Sequence, residues 1–255
     1  MNRSSLLLLL ACLAFGLLAS CSKDDVSGDS TGGGTGQVGS MARFAIARGH
    51  LYVVNDDNLS VYQLNGEGRM TFLAARRMNW GRMAETLFPY GDYLFVGTTT
   101  GMLIYSLDDP VNLTQVSEYR HIWACDPVVV QGNYAFVTLR NGQQCQRAVN
   151  RLEVVDISQI TAPRQVATLD LANPHGLAVN GRNLVICEGG HGLKSLAIDN
   201  PTLPKVQHSL DAGHCYDVLA GSQSWIVTGA DGIRQYRLDD LDRLHEISRM
   251  PVSLP

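Results

Sequence analysis

Five stretches of this chain repeat one pattern: a polar start, a short apolar run, a turn and a second apolar run. They are Arg43–Asn55 (RFAIARGHLYVVN), Glu85–Gly97 (ETLFPYGDYLFVG), Asp126–Thr138 (DPVVVQGNYAFVT), His175–Cys187 (HGLAVNGRNLVIC) and Asp217–Gly229 (DVLAGSQSWIVTG). Their starts are spaced by 42, 41, 49 and 42 residues. A rhyme at this period means a stack or ring of like units, because one such unit cannot bury its own apolar faces.

Each copy continues in the same way. A third apolar run follows: LSVYQL, MLIYSL, LEVVDI, LKSLAI and IRQYRL, starting at Leu59, Met102, Leu152, Leu193 and Ile233. A weaker fourth run closes each unit: MTFLAARR, TQVSEYRH, RQVATLDL, KVQHSLDA and LHEISRM. Period-two alternation, β-branched and aromatic residues, and Gly, Asn or Asp turns mark these runs as strands. Four short antiparallel strands in one unit make a blade, so the expected fold is all-β: a β-propeller of five four-stranded blades. The fourth strand is the least apolar and is expected at the outer rim. The 49-residue spacing is explained by an insert, Arg140–Arg151, between the second and third strands of unit three. Inserted loops on a rigid scaffold often carry specificity.

The units resemble LVIVD repeats, found in bacterial extracytoplasmic β-propeller proteins. NYAFVT at Asn133–Thr138 and LEVVDIS at Leu152–Ser158 match best, and Asp126 and Asp217 fit the acid before the first strand. Unit one departs most, with Arg43 where the acid would stand. The resemblance implies fold and export. It implies little about activity, since propellers host many chemistries.

The front of the chain is separate. Leu6–Leu18 is an apolar run of 13 residues interrupted by Gly16, too short for a membrane span and suited to a signal core. It ends Leu18-Ala19-Ser20-Cys21, which resembles the lipobox of bacterial lipoproteins. That resemblance implies cleavage before Cys21 and acylation there, with enough acyl chains for stable anchoring. Ser22-Lys23-Asp24-Asp25 resembles the surface-export signal of Bacteroidetes lipoproteins, and Asp29-Ser30-Thr31 resembles an O-glycosylation motif of the same bacteria. Gly28–Gly39 is so rich in Gly, Ser and Thr that a flexible tether is expected. The division is then 1–20 signal, 21–40 lipidated cysteine and tether, and 41–255 propeller, placed at the outer membrane and facing the cell surface.

Formal net charge is -4, with 20 Lys plus Arg against 24 Asp plus Glu and no basic run, which argues against a nucleic-acid partner. With Cys12 in the signal and Cys21 acylated, Cys125, Cys145, Cys187 and Cys215 remain. In an oxidising compartment four cysteines allow two disulfides in three connectivities. The insert favours Cys125 with Cys145, leaving Cys187 with Cys215 to link units four and five.

Residues at the start of the inner strands are expected to ring the channel: Arg43, Glu85, Asp126, His175 and Asp217. Such a ring suits a cation or a polar ligand, or the acids serve only to satisfy turn amides. The loops before these strands open on the same face and carry Trp80, Arg82, His121, Trp123, Asn173, His214 and Tyr216. Aromatic residues with His and Asn at a propeller mouth suit a protein or glycan partner. Trp225, inside a strand, is expected in the core. Glu188-Gly-Gly-His191-Gly192 is read as a hairpin turn. No P-loop, G-x-S-x-G, HExxH or EF-hand calcium loop is present, so no cofactor is called for. The leading expectation is a membrane-tethered binding or scaffold propeller. The alternatives are a hydrolase or lyase using channel acids and His175, and a structural subunit of an envelope complex.

Overall fold

The computed structural model describes residues 39–55, 57–77, 83–121, 127–141 and 149–252. These residues form a five-bladed β-propeller of four-stranded antiparallel sheets. Blade 1 holds β1 (Phe44–Ala47), β2 (His50–Asn55), β3 (Asn58–Leu64) and β4 (Met70–Arg77). Blade 2 holds β5 (Ala84–Tyr90), β6 (Tyr93–Thr98), β7 (Gly101–Ser106) and β8 (Thr114–Arg120). Blade 3 holds β9 (Val128–Gln131), β10 (Tyr134–Leu139), β11 (Arg151–Asp156) and β12 (Arg164–Asp170). Blade 4 holds β13 (Leu177–Asn180), β14 (Asn183–Cys187), β15 (Leu193–Ala197) and β16 (Lys205–Leu210). Blade 5 holds β17 (Cys215–Ala220), β18 (Trp225–Gly229), β19 (Gly232–Leu238) and β20 (Leu244–Pro251). Every blade is contiguous in sequence, and none of them borrows a strand from the far end of the chain.

The first hairpins turn on glycine. Gly91, Gly132 and Gly181 sit at φ of 57°, 58° and 58°, each first in a two-residue loop. Only glycine enters that region without strain, and the resulting turn matches strand twist. A bulge recurs where the third strand meets the fourth, at Val61/Tyr62, Ile104/Tyr105, Val154/Val155, Ser195/Leu196 and Gln235/Tyr236. Bulges raise local twist, which splays the outer strands of each blade. The outer strands are also the most exposed, as their composition predicts.

Side chains from facing blades interlock into apolar cores. Tyr52, Val54 and Val61 meet Leu87, Leu94 and Tyr105 between blades 1 and 2. Phe95 and Ile104 meet Val130 and Val137 between blades 2 and 3. Phe136 and Val154 meet Leu184 and Leu196 between blades 3 and 4. Val185 and Leu193 meet Val218, Trp225 and Tyr236 between blades 4 and 5. Each large side chain so buried contributes about 1.5–3 kcal/mol. Trp225 is core, as its strand position implies.

The junction of blade 5 with blade 1 differs. Phe44, Ile46, Met70 and Phe72 of blade 1 and Ile226, Ile233 and Met250 of blade 5 are exposed. Polar stitches between neighbouring turns stop there too. Tyr90 Oη accepts the Gly132 N–H at 2.7 Å, Gln131 Nε2 donates to Gly181 O at 2.7 Å, and Asn180 Nδ2 donates to Gly221 O at 2.9 Å. In blades 2, 3 and 4 the residue before the turn reaches the next blade's turn, and in blade 1, where that residue is Ala47, the turn residue Arg48 reaches Asp92 instead. In blade 5 that residue is Ala220, whose methyl group can make no such bond.

The segment entering blade 1 reaches back to blades 4 and 5 instead. Ser40, only 1% exposed, donates to Asp217 Oδ1 at 3.0 Å and accepts the Leu177 N–H at 2.7 Å. The Met41 N–H also donates to Asp217 Oδ2, at 3.3 Å. Ser40 and Met41 thereby join the entry segment to the inner strand of blade 5.

Candidate functional site

The starts of the inner strands of blades 1 to 4 open onto one cavity. Met41, Arg43, Glu85, Thr86, Pro127, Arg140 and His175 line it, and its volume is about 180 Å³. Blades 1 to 4 each supply a wall. Of the five expected ring residues, Arg43, Glu85 and His175 are brought together here. Asp126 lies outside the described residues, as do Trp80, Arg82, Trp123, Cys21, Cys125 and Cys145.

Asp217 does not line the cavity with them. Glu85 and His175 each stand five residues before the end of their inner strand, whereas Arg43 and Asp217 do not share that register. The ladder shows why. Register shifts between Ala84 and Thr86 and between Cys215 and Asp217, so Glu85 and Tyr216 are the matching bulged residues. Thr86 pairs with Gly97 and Asp217 with Thr228, one position further on. The four-residue loop Gly221–Ser224 displaces the sequence alignment by one, so Asp217 takes the position of Thr86 rather than that of Glu85. Bulges commonly re-aim a side chain in this way.

Asp217 is instead packed between two glycines. A Cβ on Gly39 would come within 2.1 Å of Oδ2, and one on Gly176 within 1.9 Å of Oδ1. Burial pushes this carboxyl above its ordinary range, against hydrogen bonds from Ser40, Val218 and Met41 that favour the charged form. Its donors are structural, so it offers no second carboxylate for acid–base work beside Glu85.

His175 is nearly buried, and its backbone is pinned on both sides. Its N–H donates to Cys187 O at 2.7 Å, and its carbonyl accepts from Thr138 Oγ1 at 2.8 Å. Burial pushes the imidazole down to about 4, helped by the Arg140 charge and by His214. At neutral pH it is uncharged. The 3-10 turn Gly189–His191 presses on it: a Cβ on Gly189 would meet His175 Nε2 at 2.9 Å and Asn173 Nδ2 at 2.6 Å. From His175 a row of rings runs outward, with centroids 5.8 Å from His175 to His214 and 5.1 Å from His214 to the exposed Tyr216.

Arg140 was hidden from sequence reasoning as the first residue of the insert. It stands directly after β10, half-buried, and faces the cavity with Arg43. Neither guanidinium has a hydrogen bond or ion pair among the described residues. Glu85, half-buried, is already engaged. His121 is engaged likewise and lies 6.1 Å ring to ring from Tyr119. Glu188 is structural: the Ala172 N–H donates to Oε1 at 2.7 Å and Lys194 pairs with Oε2. Among the described residues, no three His, Cys, Asp or Glu side chains gather as a metal site.

Cys187, ending β14, and Cys215, opening β17, are free thiols in the structure. Both are buried in the blade 4–5 core and the two thiols touch. Cys215 Sγ donates to Gly192 O at 3.1 Å. Burial, with Cys215 beside it, pushes the Cys187 thiol well up.

The LVIVD repeat model matches residues 124–170, the span of blade 3. No curated protein matches the chain. Among solved structures, the periplasmic gluconolactonase PpgL of Pseudomonas aeruginosa is similar at TM-score 0.63 and 15% identity, covering 80% of this chain and 67% of that one. A protein from Lactobacillus plantarum is similar at 0.65 and 16%, covering 82% and 69%. AztD of Citrobacter koseri is similar at 0.53 and 16%, covering 80% and 61%. At such identities the likeness is one of fold.

Proposed function

We propose that this chain is a lipid-anchored extracytoplasmic binding module, attached through Cys21 and holding a protein or glycan at the propeller mouth. One observation carries the reading: Arg43, Glu85, Arg140 and His175, from four different blades, converge on a single open cavity. A ring of blades brings these strand starts together whatever they carry; here they carry two guanidiniums, a carboxylate and a neutral imidazole, a set that can hold a polar ligand. The anchor rests on the lipobox-like Leu18–Cys21. No helix among the described residues is long and apolar enough to cross a membrane. A catalytic reading is less well supported by the geometry. His175 is a weak base with its imidazole near 4, and Asp217 is committed to Ser40 and Met41.

The test is a glycan array and an envelope-protein pull-down, run in parallel with wild type and with an Arg140→Glu, Tyr216→Ala variant. The reading predicts that captured material is lost from the variant. Equal capture would contradict it. Labelling with radioactive palmitate, present in wild type and absent from Cys21→Ala, tests the anchor.

A second reading has its own observation. The exposed apolar faces at the blade 5–blade 1 junction suit a role as a subunit of an envelope assembly, since such patches mark interaction surfaces. Sedimentation of Phe44→Asp and Ile226→Asp variants against wild type would show a smaller species if those faces carry assembly.

A further inference from the structure

We infer that the mouth cavity is a carboxylate subsite for an acidic sugar, an assignment that rests on the mouth being the binding face. Two guanidiniums, Arg43 and Arg140, look into one small space with no protein anion bonded to either among the described residues. Arg140 is half-buried and Arg43 exposed; the half-buried arginines Arg151 and Arg234 are by contrast paired, with Glu153 and Asp231. A planar fork left free in a cavity is matched to a carboxylate, which it grips through two parallel hydrogen bonds.

The other lining groups suit the same occupant. Asp217, which would have opposed an anion, is drawn out of the cavity by Ser40 and Met41. Glu85 also lines the cavity but has an interaction of its own, so two guanidiniums face one carboxylate among the described lining residues. His175 stays neutral, so it adds hydrogen-bonding capacity without charge. The volume of about 180 Å³ takes one sugar ring rather than a folded peptide segment. The row His175, His214, Tyr216 then leads outward to an exposed aromatic face, on which the next ring of a chain can rest. A lone carboxylate would leave that row unused.

The experiment is calorimetric titration of the full-length protein in detergent micelles with three probes: trigalacturonate, its methyl ester, and hexaglutamate. Trigalacturonate is expected to bind wild type, with affinity falling as salt rises. Methyl esterification and, separately, Arg140→Ala are each expected to weaken it at least about tenfold, the scale of one charge-assisted pair. Arg140→Lys is expected to recover part of the loss. Because the Arg140 guanidinium bonds to no described residue, its variants should melt where wild type does. Arg69→Ala, at the exposed outer edge, should bind as wild type. The inference is overturned if the ester binds as well as the acid, if hexaglutamate binds more tightly than trigalacturonate, or if trigalacturonate does not bind. Should trigalacturonate fail while Arg140→Glu, Tyr216→Ala still loses captured material, the acidic sugar falls and the mouth stands as the binding face.

Discussion

The Ser40 hydroxyl lies 3.0 Å from the Asp217 carboxylate, although 177 residues separate them in sequence. Ser40 opens the first blade and Asp217 stands on the innermost strand of the last. This bond and the Leu177 N–H on the same hydroxyl tie the entry segment to blades 4 and 5. It does so at the one junction where the facing apolar side chains Phe44, Ile46, Ile226 and Ile233 remain exposed.

Replacing Ser40 should therefore loosen the ring more than its size suggests. Ser40→Ala leaves the Leu177 N–H and one Asp217 lone pair unmet in a buried place, at a cost of about 1–3 kcal/mol. For a domain of this size that is a fall in Tm of roughly 2–12 °C. Asp217 adds a pH signature. Its pKa is raised in the fold, so the native state holds this proton more tightly than the unfolded chain does. Its contribution is greatest below the ordinary carboxyl range and declines as pH rises through the raised value. Asp217→Asn should remove that decline. Chemical denaturation of both proteins from pH 3 to pH 8 checks it, as a difference between the two curves.

His175 has the opposite sign. Its imidazole is lowered to about 4 against an ordinary 6.5, so the unfolded chain takes the proton first. Stability from this residue is full above 6.5 and is lost as pH falls from there to about 4. An NMR titration of the His175 ring should show no protonation at pH 6. A midpoint near 6.5 would contradict the burial described here.

The turn stitches should matter individually. Gln131 both donates to Gly181 O and accepts the Gly181 N–H, at 2.7 and 2.9 Å. Gln131→Ala is expected to cost about 1–2 kcal/mol for the two exposed bonds together. Gln131→Glu, which keeps the acceptor and loses the donor, should cost less. Urea denaturation midpoints at constant slope give both values.

Cys187 and Cys215 are expected to join on oxidation, since their thiols touch within one core. Peptide mapping without reductant, on protein recovered from the cell envelope, should give the linked pair. Alkylation of both thiols in unreduced, denatured protein would show that they stay free. The pairing proposed for Cys125 with Cys145 is read in the same map.

Much of this fold is legible in the sequence because repetition supplies five independent readings of one unit. LSVYQL, MLIYSL, LEVVDI, LKSLAI and IRQYRL each land on a third strand, β3, β7, β11, β15 and β19. MTFLAARR spans β4 to the residue. The mouth was harder to read. Strand character is an average over several residues, but the direction of one side chain depends on a single residue of register. A two-residue turn in blade 2 and a four-residue loop in blade 5 therefore make Tyr216, and not Asp217, the counterpart of Glu85. Ser40 was hidden differently: a polar residue after a Gly-rich run gives no local sign of a partner 177 positions away. Arg140 looked like the edge of a loop, because nothing local to it shows which way the channel lies.

The most direct test of the mouth as binding face is hydrogen–deuterium exchange of the full-length protein with and without envelope polysaccharide. The account predicts slowed exchange in peptides holding residues 41–43, 84–86, 139–141 and 175–176, and no change at the outer strands. Slowing confined to the exposed flanks around Phe44–Ile46 and Ile226–Ile233 would contradict it and place the partner at the junction of blades 5 and 1.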